Sequence, residues 1–145
     1  MLTPFYHVGI VVADIEQAQK EVGAALGLTW GTPMTIPVPV QYGGEVTLRE
    51  FTFVYSVEGP PLVELVAAGS PPWTVSEGVH HVGYWSADLA ADIQSLQGNG
   101  YTLVAHGVNE AGALFGFVYL RSPSGLLVEL VDVAVQAMLA GGAAA

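Results

Sequence analysis

Hydrophobic and polar residues follow one another in nearly the same order in two stretches of this chain. In the first stretch, residues 5–12 are rich in β-forming side chains and predict a strand that ends before Asp14, which can cap a helix. From Ile15 to Leu26, apolar residues recur at helical spacing, and Gly27 follows as a stop signal. This stretch therefore predicts a strand followed by an amphipathic helix.

The second stretch repeats that order. A strand is predicted over residues 79–86, Asp88 is the capping residue, and a helix runs to about Leu96 before the Gly-Asn-Gly turn at 98–100. Further strands are predicted near residues 101–106, 114–120 and 126–132.

Matching motifs support an internal repeat. The segment that begins His7-Val-Gly resembles the one that begins His81-Val-Gly, with Ala and Asp also in identical places. Later, Phe-Thr-Phe-Val-Tyr at 51–55 matches Phe-Gly-Phe-Val-Tyr at 115–119, and Val-Glu-Leu-Val follows both. Each half is therefore predicted as a His-bearing strand, a helix, a strand, an aromatic strand and a Glu-bearing strand.

The repeat predicts an α+β fold with two tandem βαβββ modules, at about residues 1–67 and 79–132, in one domain. Neither module can bury both faces of its strands alone, so pairing them into one curved mixed sheet, with the helices outside, solves the problem. Residues 68–78 are predicted as the linker and 133–145 as a tail. The Pro-rich stretch 31–44 is predicted as a loop that could cover an active site.

The charge balance narrows the possible partners. Thirteen acidic residues face three basic ones, Lys20, Arg49 and Arg121, for a formal net charge of -10. Nucleic acids and anionic membrane surfaces both need clustered cations, so neither is expected to bind. Without a basic region before the apolar N-terminus, and with apolar runs of only about ten residues, no signal peptide or membrane span is predicted. A cytoplasmic protein is expected.

Four residues stand out because the repeat puts them in equivalent positions: His7, Glu64, His81 and Glu129. A carboxylate within an apolar strand is unfavourable unless it is paired, hydrogen-bonded or bound to a metal. The chain has no Cys, and two imidazoles with two carboxylates suit Zn, Ni, Co, Mn or Fe better than Ca or Mg. We therefore predict one divalent metal ion on the concave face, although a repeat can also preserve equivalent residues without a function.

Two other histidines, His80 and His106, are further candidates for the site. His80 and His81 are adjacent, so strand alternation allows only one to reach the metal, and the internal alignment favours His81. His80 is then expected to face a helix or a dimer partner. His106 has no counterpart in the first half and is expected at the surface or behind the ligands, with a place at the cleft rim as the alternative.

Aromatic residues share one face of each aromatic strand. Strand alternation aligns two groups of three, which are Phe51, Phe53 and Tyr55, and Phe115, Phe117 and Tyr119. This face is either the wall of the cleft or core beneath the helices. If it is the cleft, Phe53, Tyr55, Phe117 and Tyr119 are candidate substrate-binding residues, and the substrate is small and fairly apolar.

Three motifs resemble the vicinal oxygen chelate superfamily, which includes glyoxalase I, bleomycin-resistance proteins, methylmalonyl-CoA epimerase and extradiol dioxygenases. They are Phe-Tyr-His-Val-Gly-Ile-Val-Val-Ala-Asp at 5–14, Gly-Val-His-His-Val-Gly-Tyr at 78–84, and Ser-Pro-Ser-Gly-Leu-Leu-Val-Glu-Leu at 122–130. Ser122 and Ser124 stand where the family's turn usually has Asp. The resemblance covers essentially the whole chain and is nearest to the epimerase-related branch.

The resemblance implies paired βαβββ modules around a metal cleft, ligands at His7, Glu64, His81 and Glu129, and a homodimer. It also implies a metal that holds two neighbouring substrate oxygens, with Glu64 or Glu129 moving a proton as the catalytic residue. Glu50 is a further candidate base, or else a solvated side chain. We therefore expect a metal-dependent isomerase, epimerase or lyase.

Two alternatives stay open. A bleomycin-resistance-like protein would bind a drug without catalysis, and an acidic chain could sequester a cationic one. An extradiol-type dioxygenase would use a triad of two His and one Glu, in which case Glu64 would not be a ligand.

Overall fold

The computed structural model describes residues 5–136 and Leu139. Within them, eight strands and two α-helices follow the order predicted from the repeat, and their bounds are β1 (Phe5–Val12), α1 (Ile15–Leu26), β2 (Met34–Tyr42), β3 (Glu45–Tyr55), β4 (Leu62–Ala67), β5 (His81–Ser86), α2 (Leu89–Gly98), β6 (Thr102–Val108), β7 (Leu114–Arg121) and β8 (Leu127–Asp132).

The strands close into a barrel in the order β1-β4-β3-β2-β6-β7-β8-β5, and β5 returns to β1. Within each half the first and last strands are parallel neighbours, as β1 with β4 and β5 with β8, whereas the other pairs are antiparallel. The predicted α+β fold, with one mixed sheet and two outer helices, is confirmed. The two halves meet along the antiparallel pair β1–β5 and again along β2–β6.

The helices begin and end at the residues that the sequence marks. The Asp14 carboxylate accepts a hydrogen bond from the Gln17 amide, and the Asp88 carboxylate accepts one from the Ala91 amide. Helix α1 ends at Gly27, whose φ of 69° lies in the left-handed region that glycine tolerates.

Strand alternation separates the interior of the barrel from two outer layers. In β4, Leu65 packs outward with Ala18 of α1, while Val66 belongs to the cluster inside the barrel. On the other side, Leu130 of β8 packs outward with Leu89 of α2. Each helix thus covers its own half, and the concave interior is left for the site.

The prediction of a loop over residues 31–44 is wrong, because Met34–Tyr42 forms strand β2 and pairs with β3 along its whole length. Pro37 and Pro39 obscured the strand, since proline cannot donate to a ladder hydrogen bond. They are tolerated because β6 pairs only with the segment from Val40 to Tyr42, so the earlier part of β2 has one strand neighbour.

The predicted linker at 68–78 packs against the barrel. The Ser76 amide donates to the Val11 carbonyl, and Trp73 is 2% exposed with its ring against Phe51 and Tyr119. The predicted tail begins with a 3-10 turn at Val133–Val135, and its residues 137, 138 and 140–145 lie outside the described residues. No helix among the described residues is long and apolar enough to cross a membrane.

Candidate metal centre

The fold brings the four residues singled out by the repeat to one point inside the barrel. The side chains of His7, Glu64, His81 and Glu129 are all buried, and each offers a ligand atom within 4.8 Å of the others. The Nε2 atoms of the two histidines are 2.9 Å apart. Glu129 Oε1 lies 3.0 Å from His7 Nε2 and 3.4 Å from His81 Nε2, and Glu64 Oε1 lies 3.4 and 3.2 Å from the same two atoms.

Strand register explains why these side chains meet. In the antiparallel pair β1–β5, His7 lies opposite Gly83 and Gly9 lies opposite His81. In the parallel pairs, Gly9 is the partner of Glu64, and Gly83 is the partner of Glu129. Each glutamate therefore flanks the β1–β5 seam on the side of its own half.

The two glycines of the repeated His-Val-Gly sequence make room for the imidazoles. A Cβ atom at Gly9 would lie 2.1 Å from the His81 ring, and one at Gly83 would lie 2.2 Å from the His7 ring. Real Cβ atoms do not approach so closely, so each ring occupies space that only glycine leaves free. In the sequence these glycines mark the repeat, and their constant spacing from each His is the signal of the space they leave for the rings.

The donor spacing fits a single cation. A cation about 2.1 Å from each donor separates neighbouring donors by about 3.0 to 3.4 Å, depending on whether the geometry is octahedral or tetrahedral. The two histidine Nε2 atoms lie 2.9 Å apart, each lies 3.0 to 3.4 Å from the glutamate Oε1 atoms, and all four residues offer ligand atoms within 4.8 Å of one another. Two imidazole nitrogens and two carboxylate oxygens are a set that suits Zn, Ni, Co, Mn or Fe.

Without a cation, the imidazoles and carboxylates stabilise one another as ions. Burial lowers the pKa of His81, but hydrogen bonds and charge interactions with Glu129 and Glu64 outweigh it and raise the pKa to about 9. Burial also acts against the charge of Glu129, but hydrogen bonds with His7 and His81 lower its pKa to about 2. A cation would thus have to displace a proton from His81.

Two buried tyrosines, Tyr119 and Tyr55, flank the glutamates in equivalent positions. Tyr119 lies opposite Glu129 in the β7–β8 pair, and Tyr55 lies opposite Glu64 in the β3–β4 pair. Burial raises the pKa of both phenols well above the ordinary value, and the charges of both glutamates add to that effect. Both phenols therefore keep their protons.

The hydrogen bonds of these tyrosines differ. Tyr119 bonds to Glu129 and accepts a 3.2 Å hydrogen bond from Trp73 Nε1, whereas Tyr55 bonds to Tyr6. Neither Trp73 nor Tyr6 was predicted from the sequence as a partner of these tyrosines. Tyr6 points inward together with His7 because the register of β1 on β5 shifts between Phe5 and His7, which strand alternation does not anticipate.

The expectation that His80 faces a helix is wrong, because its imidazole contacts His81 and the linker, and contact with a dimer partner stays a prediction. Its Nδ1 lies 2.9 Å from His81 Nδ1, and its Nε2 lies 2.7 Å from the Pro72 carbonyl oxygen in the linker. Strand β5 begins at His81, so the alternation rule does not apply to the residue before it. Burial lowers the pKa of His80, against the effect of its hydrogen bond to Pro72.

The other two candidates, His106 and Glu50, are not among the four residues that meet at the candidate site. His106 is buried, with Nδ1 2.8 Å from the Gly107 carbonyl oxygen, so it is neither at the surface nor among the residues that line the cleft. Glu50 is exposed on β3, as expected of a solvated side chain rather than a base.

A cavity of about 610 Å³ opens beside Glu64 and Glu129, which form part of its wall. Six aromatic side chains from the two repeated strands line it: Phe51, Phe53, Tyr55, Phe115, Phe117 and Tyr119. The sequence left open whether the aromatic face is the wall of the cleft or core beneath the helices, and it is the wall of the cleft. The charged residues among the described lining are all acidic, because Glu110 joins the two ligand glutamates there.

Residues 6–119 match the model of the Glyoxalase/Bleomycin resistance protein/Dioxygenase superfamily. This chain therefore belongs to that superfamily, and the resemblance predicted from the sequence is confirmed. A search of curated proteins gives no match.

Solved structures share the fold. The hypothetical protein BH1468 from Bacillus halodurans is 20% identical, with a TM-score of 0.61 over 89% of this chain and 93% of that one. A variant of the Streptomyces coelicolor methylmalonyl-CoA epimerase, in complex with 2-nitronate-propionyl-CoA, is 18% identical, with a TM-score of 0.60 over 91% and 95%. The methylmalonyl-CoA epimerase from Mycobacterium tuberculosis is 18% identical, with a TM-score of 0.57 over 90% and 88%.

Proposed function

We propose that this protein is a divalent-metal-dependent isomerase, epimerase or lyase of the glyoxalase type, with His7, Glu64, His81 and Glu129 as the ligands. One observation carries the proposal: four buried donors, two from each half, converge with the spacing that a cation requires. Each site takes one ion, and Zn, Ni, Co, Mn and Fe are the candidates. The chain then acts as one domain whose two modules share the site.

A divalent cation held by these residues would supply Lewis-acid stabilisation of negative charge on two neighbouring substrate oxygens. Glu64 and Glu129 are the proposed catalytic residues, since both carboxylates line the cavity and come from opposite halves. Although burial opposes it, the hydrogen bonds from His7 and His81 lower the pKa of Glu129 to about 2, so it is ionised at neutral pH. Two bases on opposite faces of a carbon suit an epimerase, and one base that moves a proton suits an isomerase.

The cavity wall supports a small, fairly apolar substrate. Phe53, Tyr55, Phe117 and Tyr119 are the proposed substrate-binding residues, because they lie between the two glutamates and the rest of the apolar lining. Aromatic walls bury apolar surface, while the few polar groups at the glutamates orient the oxygens.

The positions of the basic side chains argue against a substrate like the 2-nitronate-propionyl-CoA that is bound to the Streptomyces epimerase variant. Arg49 Nη1 donates to the Ser70 and Pro71 carbonyls, and Arg121 Nη1 donates to the Gly125 carbonyl. Lys20 lies on the outer helix α1, where it pairs with Glu16. None of the three basic residues of the chain lines the cavity, so a ligand with several phosphates would meet acidic groups without cations to neutralise it.

The position of Glu64 favours this class over an extradiol-type dioxygenase. A triad of two His and one Glu would leave Glu64 apart, whereas its Oε1 atom lies 3.2 Å from His81 Nε2 and 3.4 Å from His7 Nε2. A fourth carboxylate donor leaves fewer places for a catechol and oxygen together.

A second candidate function is drug binding without catalysis, as in bleomycin-resistance proteins. The observation that favours it is the acidic lining of the cavity, where Glu110 and aromatic rings such as Phe117 would attract a cationic ligand. The four buried donors count against it, since binding alone would not need them.

Metal analysis tests the proposal directly. The protein is purified without chelator, loaded in turn with each candidate ion, and compared with His81→Ala and Glu129→Ala. His106→Ala and Glu50→Ala are the matched controls, a His and a Glu outside the ligand set. We expect near-stoichiometric metal in the wild type and both controls, and its loss in the two ligand variants. No metal in the loaded wild type would overturn the enzyme and leave the drug-binding candidate.

Proton exchange in D2O tests the substrate class. The metal-loaded protein is mixed with small uncharged compounds that carry a hydroxyl beside a carbonyl, and separately with methylmalonyl-CoA. We expect deuterium at the carbon next to the carbonyl in the small compounds, detected by mass spectrometry, and none in the thioester. Exchange in the thioester alone would contradict the substrate class and leave the metal site intact. A homodimer and a cytoplasmic location stay predictions, which light scattering and cell fractionation test.

A further inference from the structure

A chain of hydrogen-bonding atoms runs from the linker to the ligand cluster through two adjacent imidazoles. The Pro72 carbonyl oxygen lies 2.7 Å from His80 Nε2, and His80 Nδ1 lies 2.9 Å from His81 Nδ1. The remaining ring nitrogen, His81 Nε2, is the atom that meets Glu64, Glu129 and His7.

The carbonyl end fixes the direction of every hydrogen bond in this chain. A carbonyl oxygen only accepts, so the His80 proton lies on Nε2, which leaves the Nδ1 of a neutral His80 as an acceptor. His81 must then donate from Nδ1, and the Nε2 of a neutral His81 carries a lone pair directed at the ligand cluster. The linker therefore selects, without reference to any metal, the tautomer of His81 that can bind one.

We propose that His80 is a positioning residue for the metal centre, which fixes both the tautomer and the ring orientation of His81. This inference rests on the proposed function, because the orientation of His81 affects metal binding only if a cation binds at its Nε2 atom. Hydrogen bonds to the second nitrogen of a ligating His set its orientation and its affinity for the metal.

The acceptor at the start of the chain is itself held in place. Arg49 Nη1 donates to the carbonyls of Ser70 and Pro71, 3.0 and 2.5 Å away, on the two residues before Pro72. Backbone hydrogen bonds between Gly69 and Trp73 and between Trp73 and Ser70 close the same turn. The Pro72 carbonyl thus has a defined position relative to β5.

The first half has no such series of hydrogen bonds, so the repeat alone does not explain why a His lies at position 80. Tyr6 occupies the equivalent position before His7, and its ring stands edge-on to His7 without a nitrogen that could accept from it. Among the described residues, His7 Nδ1 has no hydrogen-bond partner although it is buried. His80 therefore differs from its counterpart at the point where the linker contacts the site.

Three variants separate positioning from packing. His80→Leu removes the acceptor, His80→Asn keeps a side-chain oxygen that can accept from His81 Nδ1, and His106→Leu is a matched control outside the cleft. Zinc affinity is measured by competition with a chelator, and folding by circular dichroism. We expect His80→Leu to lose about 10- to 100-fold in affinity, and His80→Asn and His106→Leu to stay within about threefold of the wild type.

A folded His80→Leu with wild-type zinc affinity would overturn the inference, as would a His80→Asn variant that loses as much as His80→Leu. If His80→Leu does not fold, the tautomers of the zinc-loaded wild type decide, measured by long-range proton–nitrogen correlation in the 15N-labelled protein. We expect protons on His80 Nε2 and His81 Nδ1, and a proton on His80 Nδ1 would refute the inference. A wild type that binds none of the candidate ions would overturn the proposed function together with it, whereas zinc bound independently of His80 would overturn this inference alone.

Discussion

The two halves of the barrel supply the same pair of residue types to the cluster but support them differently. In the second half, His81 is connected through His80 to the linker, and Glu129 is connected through Tyr119 to Trp73. In the first half, Tyr55 bonds to Tyr6 instead. The single linker touches both halves, through Val11 and Phe51 in the first, but it reaches the residues behind the candidate ligands only in the second half.

The largest effect is expected from adding a methyl group beneath the rings. In Gly9→Ala, the new Cβ would lie 2.1 Å from the His81 ring, which its hydrogen bond with His80 holds in place. In Gly83→Ala it would lie 2.2 Å from the His7 ring, whose Nδ1 has no partner among the described residues. We expect Gly9→Ala to lower the free energy of unfolding by about 3 kcal/mol and Gly83→Ala by less.

Urea denaturation of the metal-free proteins measures this difference. Gly107→Ala serves as a comparison, because its Cβ would also meet atoms of the barrel, 2.3 Å from the Phe115 carbonyl, but far from either imidazole. Zinc affinity should fall in Gly9→Ala and Gly83→Ala and not in Gly107→Ala. Equal losses of stability in Gly9→Ala and Gly83→Ala would show that the linker does not restrain His81 more than its counterpart.

The next largest effect is expected in the pH dependence of metal binding. It tests the second half of the barrel in particular, because it depends on the pKa of His81. The pKa of His81 is about 9 without metal, so below that pH a cation must displace its proton. We expect zinc affinity to fall about 50-fold between pH 9 and pH 7, approaching about tenfold for each further pH unit. Chelator competition across that range measures it, and affinity that does not change with pH would contradict the raised pKa.

The stability of the metal-free protein should follow the opposite trend. Because the pKa of His81 is raised from 6.5 to about 9, its contribution is complete below pH 6.5 and is lost as the pH rises through 9. Because the pKa of Glu129 is lowered from 4.5 to about 2, its contribution is complete above pH 4.5 and is lost as the pH falls towards 2. Thermal unfolding of the metal-free protein should thus give its highest midpoint between these two ranges.

The smallest effect is expected from removing single hydroxyls. Tyr119→Phe removes the bond to Glu129 and leaves the Trp73 indole N–H buried without its acceptor, at a cost of about 2 kcal/mol in the free energy of unfolding. Tyr55→Phe loses its bond to Tyr6, at a cost of about 1 kcal/mol. Urea denaturation of both variants measures the difference, and a larger loss in Tyr55→Phe would reverse the order of the two halves.

Much of the fold was predictable because the repeat constrains it twice. The β-forming side chains over residues 5–12, the caps at Asp14 and Asp88, and the two Val-Glu-Leu-Val segments each indicated an element that the structure contains. Strand β2 was missed because its prolines outweighed the alternation of Ile36, Val38 and Val40, which does mark the inward face.

The candidate ligands could be chosen from the sequence because equivalent positions in a repeat meet at its axis. The contacts behind them could not, since Trp73 and Pro72 reach the cluster from a linker whose path depends on packing rather than periodicity. Alternation likewise placed Phe53 and Tyr55 on one face of β3 but could not say which face turns towards the cavity.

The β1–β5 seam has a consequence for how such a barrel can be assembled. Over residues 7–9 and 81–83 its register is unchanged when the halves are exchanged, since His7 faces Gly83 as His81 faces Gly9, with Val8 opposite Val82 at the centre. Each half carries both an imidazole and the space for the other half's imidazole, so a single half is self-complementary along this edge. Two identical copies joined there as an isologous pair would assemble the same four donors across a true twofold axis.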